Sequence, residues 1–232
     1  MSKFEKIVLN IPHSSPFIPC ESGWNNLLEL NKEIRKWTDW HTNILFSPSK
    51  ELINKIIPCT FEYSRFYVDA ERLVDDPLEK IGQGIIYSDF NGLHREVNLF
   101  LKEHCKRLYD NYISKIACFL TSNSLLIDCH SFPSELSDVD ICIGFNDDES
   151  KPNDEDIEYI KNLFSNHGYK VGINNPYSNS LTPKSKILGY KSVMIEINKK
   201  CYMDENLLEL NADYYKVGNL IQKMYRHFLG EE

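Results

Sequence analysis

Leu125-Leu-Ile-Asp-Cys-His130 is a short apolar run that ends in an acid and a histidine. Its length and composition predict a buried strand. Two other runs share the pattern. Ile7-Val-Leu-Asn-Ile11 is closed by Pro12 and followed by His13, and Ser192-Val-Met-Ile-Glu-Ile197 carries a carboxylate inside an apolar stretch. Further strands are predicted at Val139 to Gly144, Tyr169 to Ile173, Lys55 to Tyr63 and Arg65 to Val68. Helical spacing of apolar residues marks Trp24 to Phe46 (one or two short helices), Arg95 to Leu120, Asp154 to Asn166 and Asn206 to Leu229. In the second of these, Val97, Phe100, Leu101, Leu108, Tyr112, Ile116 and Leu120 fall near one face. Strands alternating with helices predict a three-layer α/β/α fold with a central mixed, largely parallel sheet.

Residues 75–92 are rich in Asp, Gly and Pro and read as a long loop with a strand-like interruption at Ile85-Ile-Tyr87. Loops of that length usually serve a site. A second polar loop, Asn174 to Lys186, is rich in Asn, Ser and Pro. No repeat and no linker divides the chain, so residues 1–232 read as a single catalytic domain.

Composition bounds the function. Hydrophobic residues at 42% and charged residues at 26% describe a folded globular protein, not a disordered one. A formal net charge of -8 argues against a sequence-wide affinity for nucleic acid or an anionic membrane and leaves room for a local basic pocket. No apolar run approaches the ~18 residues a membrane span needs, and Met1 to Lys6 is polar with no signal core behind it. The expectation is a soluble, cytoplasmic protein. Seven scattered cysteines with no CxxC pair argue against a disulfide framework, and Cys118, Cys129 and Cys142 read as small buried hydrophobes.

In open α/β sheets functional groups collect where strands end. His13, and Asp128 with His130, stand at such ends. Asp128 and His130 are two apart, so on a strand they share a face, and the acid suits a supporting role behind a histidine ligand. Burying Glu196 among Val193, Met194, Ile195 and Ile197 requires a partner, unless the strand is half-exposed and Glu196 faces water with Met194 and Asn198. Trp37-Thr-Asp-Trp-His-Thr-Asn43 adds an acid and a histidine two apart, and Ser64-Arg-Phe-Tyr-Val-Asp-Ala-Glu-Arg72 mixes two arginines with two acids. Such arginines fit a carboxylate bidentately, or else pair with acids along a surface strand. His94, His104, His167 and His227 read as solvated, and the acidic stretch Asp147 to Asp156 reads as a loop entering a helix N-terminus.

Taken in order, these pieces resemble the N-formylglutamate amidohydrolase family. The matching stretches are Ile11-Pro-His-Ser14, Thr38-Asp-Trp-His-Thr42, Ser64 to Arg72 with Asp75-Asp-Pro77 and Gly84-Ile-Ile-Tyr87, and Leu126-Ile-Asp-Cys-His-Ser-Phe-Pro133. Asp140-Ile-Cys-Ile-Gly144, Asn174-Asn-Pro-Tyr177 and Ser192 to Asn198 with Tyr202-Met203 complete them. The resemblance implies a zinc-dependent hydrolase with a fold similar to the zinc carboxypeptidases. It implies one Zn2+ held by His13, His130 and a third ligand, Asp39 with His41 as the rival. Zinc carboxypeptidases use a His-x-x-Glu pair, but Pro16 stands three residues after His13. The resemblance further implies Glu196 as general base, Arg72 as oxyanion or carboxylate group, and Arg65, Asn174 and Tyr177 as substrate contacts. Asn43 stands where the family usually has a second acid, Asn179 where it has a glycine, and His104-Cys105 where it has a histidine pair. The implied substrate is N-formyl-L-glutamate. The alternatives are another N-acyl amino acid or short peptide with a free carboxylate, and a carboxylate-binding module without catalysis.

Overall fold

The apolar runs pair into one sheet because each is bounded by residues that end a strand. The computed structural model describes residues 4–181 and 188–231. Its strands are β1 (Lys6–Ile11), β2 (Ile56–Thr60), β3 (Asp89–Phe90), β4 (Leu93–His94), β5 (Ser124–Phe132), β6 (Ile141–Gly144), β7 (Val171–Ile173), β8 (Lys191–Asn198), β9 (Met203–Asp204) and β10 (Glu209–Leu210). Its α-helices are α1 (Leu27–Trp37), α2 (Thr42–Leu45), α3 (Leu99–Phe119), α4 (Asp154–Ser165) and α5 (Tyr214–Leu229). The chain forms two units: Met1–Ile11, His41–Thr60 and Ile116–Glu232 make one, and Pro12–Trp40 with Phe61–Lys115 the other.

The first unit carries a six-stranded sheet in the order β2-β1-β5-β8-β6-β7. All its pairings are parallel except β6 with β8. The sheet is therefore mixed and mostly parallel, as the alternation of elements predicts. Every residue of β5 is buried, as expected of a central strand covered on both faces. Around the sheet, α5 packs on β1, α4 on β6 and β7, and α2 on β5. The α5 stripe that does so is Val217, Leu220, Ile221, Met224, Tyr225 and Phe228, and the Tyr225 hydroxyl donates to the Phe46 carbonyl at 2.9 Å. Asn153 caps α4 by accepting the Asp156 N–H at 2.8 Å. The acidic stretch thus ends on a helix dipole, as expected.

The second unit is built on an aromatic core of Trp24, Leu30, Ile34, Phe66, Tyr87 and Leu93. Asn91 and Gly92 both adopt positive φ, 49° and 82°, and turn β3 into β4 as a tight hairpin. The buried Arg95 guanidinium donates to the carbonyls of Ser22 (2.6 Å), Tyr67 (3.0 Å) and Tyr87 (3.4 Å). It ties together segments that have no regular structure of their own.

Several expectations change. Arg65 to Val68 is a turn, because the Ser64 carbonyl accepts the N–H groups of Tyr67 and Val68 at 2.8 and 3.1 Å. Ile85 to Tyr87 is not a strand; the Ile85 carbonyl accepts the Asp69 N–H at 2.8 Å instead. The long helix begins at Leu99, after Asn98 accepts the Leu101 N–H at 2.9 Å. Its buried stripe is Leu101, Cys105, Tyr109, Tyr112 and Ile116, while Phe100 is 75% exposed. The last helix starts at Tyr214, not Asn206, because Asp204 and Asn211 hold residues 204–211 in turns around β10. Cys118 is exposed while Cys129 and Cys142 are buried. His227 is half-buried, stacked on Tyr159 and 3.0 Å from Asp156. Of the second polar loop, residues 182–186 lie outside the described residues.

Gly144 tests how closely the 174–181 segment lies against β6. A Cβ there would stand 2.3 Å from Met194 Cε and 2.7 Å from the Asn179 carbonyl oxygen. The methionine can move, the carbonyl much less. Gly144→Ala is expected to destabilise the protein by about 1–3 kcal/mol, read as a lowered urea midpoint at unchanged slope.

Candidate active site

Burial and charge single out two groups of side chains, one in each unit. In the second unit, His13 follows β1 by two residues, and Asp39 lies in the turn after α1, where its N–H donates to the His13 carbonyl at 2.9 Å. Both side chains are buried, at 3% and 2% exposure. His13 Nδ1 lies 3.8 Å from Asp39 Oδ2, and Nε2 lies 2.7 Å from Asp69 Oδ1.

Asp69 is the centre of this group. It is fully buried, and its oxygens divide the work. Oδ1 meets His13 and accepts the Glu71 N–H at 3.1 Å. Oδ2 accepts from the Tyr87 hydroxyl at 2.6 Å and from Arg65 Nη2 at 3.1 Å, with Arg72 Nε at 3.5 Å. Burial would push the Asp69 carboxyl up, but Arg65, His13 and Arg72 outweigh it and hold the group well below the usual carboxylate range. Burial, aided by the Arg65 charge, lowers the His13 pKa from 6.5 to about 4 against the pull of Asp69 and Asp39. The imidazole is therefore neutral at physiological pH, as a metal ligand must be. A carboxylate bonded to one ring nitrogen of a histidine is an arrangement common around zinc. Sequence spacing suggests Asp128 for a supporting role behind His130 and does not point to Asp69 behind His13. The two acids quoted among the arginines of Ser64 to Arg72 were the available signal.

The surface-strand alternative for Arg65 and Arg72 does not hold, since both lean on a buried acid in a turn. Arg72 also approaches Asp76, at 3.8 Å, and its carbonyl accepts from the Tyr109 hydroxyl at 2.7 Å.

In the sheet unit the polar groups line one face across four strands. Parallel and antiparallel register puts Asn10 beside Asp128, and His130 beside Glu196, which is in turn opposite Cys142. Asp128, fully buried, accepts from Asn10 Nδ2 and from the Leu181 N–H at 2.6 Å. Its Oδ1 lies 3.7 Å from His130 Nε2, so the two share a face as expected, at a distance too long for a direct hydrogen bond. Glu196 is 9% exposed, which removes the half-exposed reading of β8. The Cys142 thiol donates to the Tyr177 carbonyl at 3.1 Å, and the Tyr177 ring packs on Phe132 at 5.7 Å. Asn174 has a positive φ of 48°, and its side-chain oxygen accepts the Phe145 N–H at 2.9 Å. Asn179 sits at φ 72°, a conformation natural to glycine and next best for asparagine. His41 Nε2 is engaged with the Leu208 carbonyl at 2.8 Å.

His13 and Asp39 in the second unit, and His130 in the sheet unit, are each of a side-chain type able to hold a metal. Imidazole nitrogen and carboxylate oxygen are donors that zinc takes, so each of these residues fits the ion by its chemistry.

A buried neutral imidazole bonded to a buried carboxylate, with arginines leaning on the same acid, is the kind of charged cluster that enzyme sites carry. A family model for N-formylglutamate amidohydrolase matches residues 5–203. The chain belongs to that family of amidohydrolases. Among solved structures, N-formylglutamate amidohydrolase from Ralstonia eutropha matches with a TM-score of 0.74 at 19% identity, over 98% of this chain and 94% of that one. A gene product of Agrobacterium tumefaciens matches with a TM-score of 0.61 at 16% identity, over 97% and 92%. Both likenesses are of fold. No curated protein matches the chain. Among the described residues no helix is long and apolar enough to cross a membrane.

The lowered His13 pKa makes the metal-free protein sensitive to acid. Between pH 6.5 and about 4 the unfolded chain protonates this ring and the folded one does not. Stability is therefore full above pH 6.5 and falls as pH drops through that window, by roughly 3 kcal/mol from this group. Urea titrations of chelator-treated protein from pH 7 to 4 should show the slope, and His13→Gln should flatten it.

Proposed function

We propose that this chain is a zinc-dependent amidohydrolase that cleaves N-formyl-L-glutamate, or a related N-acyl amino acid, to the free acid and amino acid. With the formyl substrate the products are formate and glutamate. Family membership supports the reaction class. The observation that carries the metal reading is the His13–Asp69 bond beside Asp39, which leaves a neutral imidazole with one nitrogen directed away from its carboxylate support.

His13, Asp39 and His130 are the proposed ligands, with Asp39 preferred to His41 because His41 is engaged at the Leu208 carbonyl. Three protein ligands would leave a bound zinc one open position, and the chemistry it would supply there is a water of lowered pKa, toward ~7. Asp128 supports His130 from behind. Glu196 takes a proton from the attacking water and passes it to the leaving nitrogen. Arg72 stabilises the oxyanion that develops on the amide oxygen or, with Arg65, grips the substrate carboxylate. Tyr177 and the amide nitrogen of Asn174 complete the substrate contacts. In this reading residues 1–232 are a single catalytic domain, with a small carboxylate as partner and the cytoplasm as compartment.

Metal analysis of purified protein is the first test, with about one equivalent of zinc expected. Less than half an equivalent, with none recovered on reconstitution, would favour a carboxylate-binding module. Glu196→Gln should keep its zinc and lose ~10²–10⁴-fold in turnover with little change in substrate affinity. His130→Ala should lose metal and activity together. A Glu196→Gln protein within about threefold of the parent kcat would remove Glu196 from the mechanism. A panel of N-acyl amino acids settles the substrate: faster turnover of an N-acetyl than an N-formyl compound would sink the formyl assignment.

A further inference from the structure

The proposed metal ligand His13 and the proposed substrate arginines share one buried support. Asp69 gives Oδ1 to His13 Nε2 at 2.7 Å and Oδ2 to Arg65 Nη2 at 3.1 Å, and Arg72 Nε lies 3.5 Å from that same Oδ2. The Tyr87 hydroxyl enters the same cluster. It donates to Asp69 Oδ2 at 2.6 Å and accepts from Arg65 at 3.4 Å. The Tyr87 ring is locked, stacked on Phe90 at 5.7 Å and edge-on to Phe66 at 5.9 Å. Backbone ties fix the rest: the Asp69 N–H on the Ile85 carbonyl, and Arg95 on the carbonyls of Tyr67 and Tyr87. Neither end of this carboxylate can move without the other.

We propose that Asp69 and Tyr87 are positioning residues that couple the two halves of the site: one oxygen of Asp69 orients His13 for its metal, while the other, with the Tyr87 hydroxyl, aims Arg65 and Arg72 at the substrate carboxylate. This rests on the zinc amidohydrolase reading above. A carboxylate serving only to neutralise two arginines would need no bond to His13, and one serving only His13 would need no arginine. Because all the contacts go through one group, metal affinity and substrate affinity respond together to its loss. Tyr87 meets Asp69 at Oδ2, the oxygen turned to the arginines, and bonds Arg65 itself, so its loss falls on the arginine side and separates the two effects.

Asp69→Asn is nearly isosteric, yet an amide has one acceptor end and one donor end. Whichever way it turns, a donor faces either His13 Nε2–H or the guanidinium of Arg65. Zinc affinity, measured by competition with a chromophoric chelator, should fall 10–100-fold, and KM for N-formyl-L-glutamate should rise at least tenfold. Tyr87→Phe should raise KM about fivefold while zinc affinity stays within twofold. Imidazole ¹⁵N NMR of the metal-free proteins gives a readout independent of activity: His13 should be the Nε2–H tautomer in the parent and a mixture in Asp69→Asn. Asp69→Asn with zinc affinity within threefold and an unchanged His13 tautomer would overturn the proposal. So would Tyr87→Phe with unchanged KM, a test that stands if Asp69→Asn fails to fold. A parent protein that binds no zinc refutes the metalloenzyme reading instead, and the tautomer still reports on Asp69.

Discussion

A carboxylate with no access to water must be surrounded by donors, and this requirement organises the second unit around Asp69. The unit has little regular structure to satisfy its backbone: one full helix, most of α3, a two-residue hairpin and long turns. Its order comes from side chains instead. Arg65, Arg72, Tyr87 and His13 converge on Asp69, and Arg95 supplies the backbone carbonyls nearby with donors. Breaking such a network leaves an uncompensated buried charge, which destabilises far more than the loss of an exposed ion pair. The same burial that makes the network expensive to disturb is what keeps the His13 ring neutral. Structural and chemical demands therefore fall on the same residues.

The sheet unit meets the problem differently. Asp128 is equally buried, and its partners include Asn10 on the neighbouring strand and the Leu181 amide beyond β7. Both of these donors are neutral amides, where Asp69 draws on guanidinium groups. Glu196 lies one strand over from His130, in register with it on β8. Adjacent strands thus bring an imidazole and a carboxylate side by side with no loop involved. That is a more rigid way to place two such side chains than a turn provides.

What the sequence disclosed follows from this division. The apolar runs of β1, β5 and β8 were legible because central strands are continuous hydrophobic segments, and the polar residues within them stood out by contrast. Glu196 and Asp128 were visible for that reason. Residues 61–95 were harder. Arg65-Phe-Tyr-Val68 has strand composition yet turns on Ser64, because side-chain and arginine contacts outweigh β propensity there. The Asn91-Gly92 hairpin was readable from its dipeptide and was absorbed into a loop. Asp69 was quoted as one of two acids among arginines, but its link to His13 spans 56 positions and leaves no local trace. Phe100 shows the converse error. Its spacing suits the helix face, but it stands in the first turn, beyond the stripe that begins at Leu101.

The two histidines are held by contrasting means, and the contrast has a physical reason. His130 lies near the end of a nine-residue strand buried throughout, paired there with Glu196 of β8, so its backbone is fixed by the sheet. Asp128 can stand 3.7 Å from its ring and still leave it well placed, since packing limits the rotamers available. His13 has left β1 and lies in irregular chain before α1. Its backbone has no ladder to hold it, so ring orientation must come from a direct bond, and Asp69 provides it at 2.7 Å. A residue on a loop needs a side-chain partner where one on a strand needs only its neighbours.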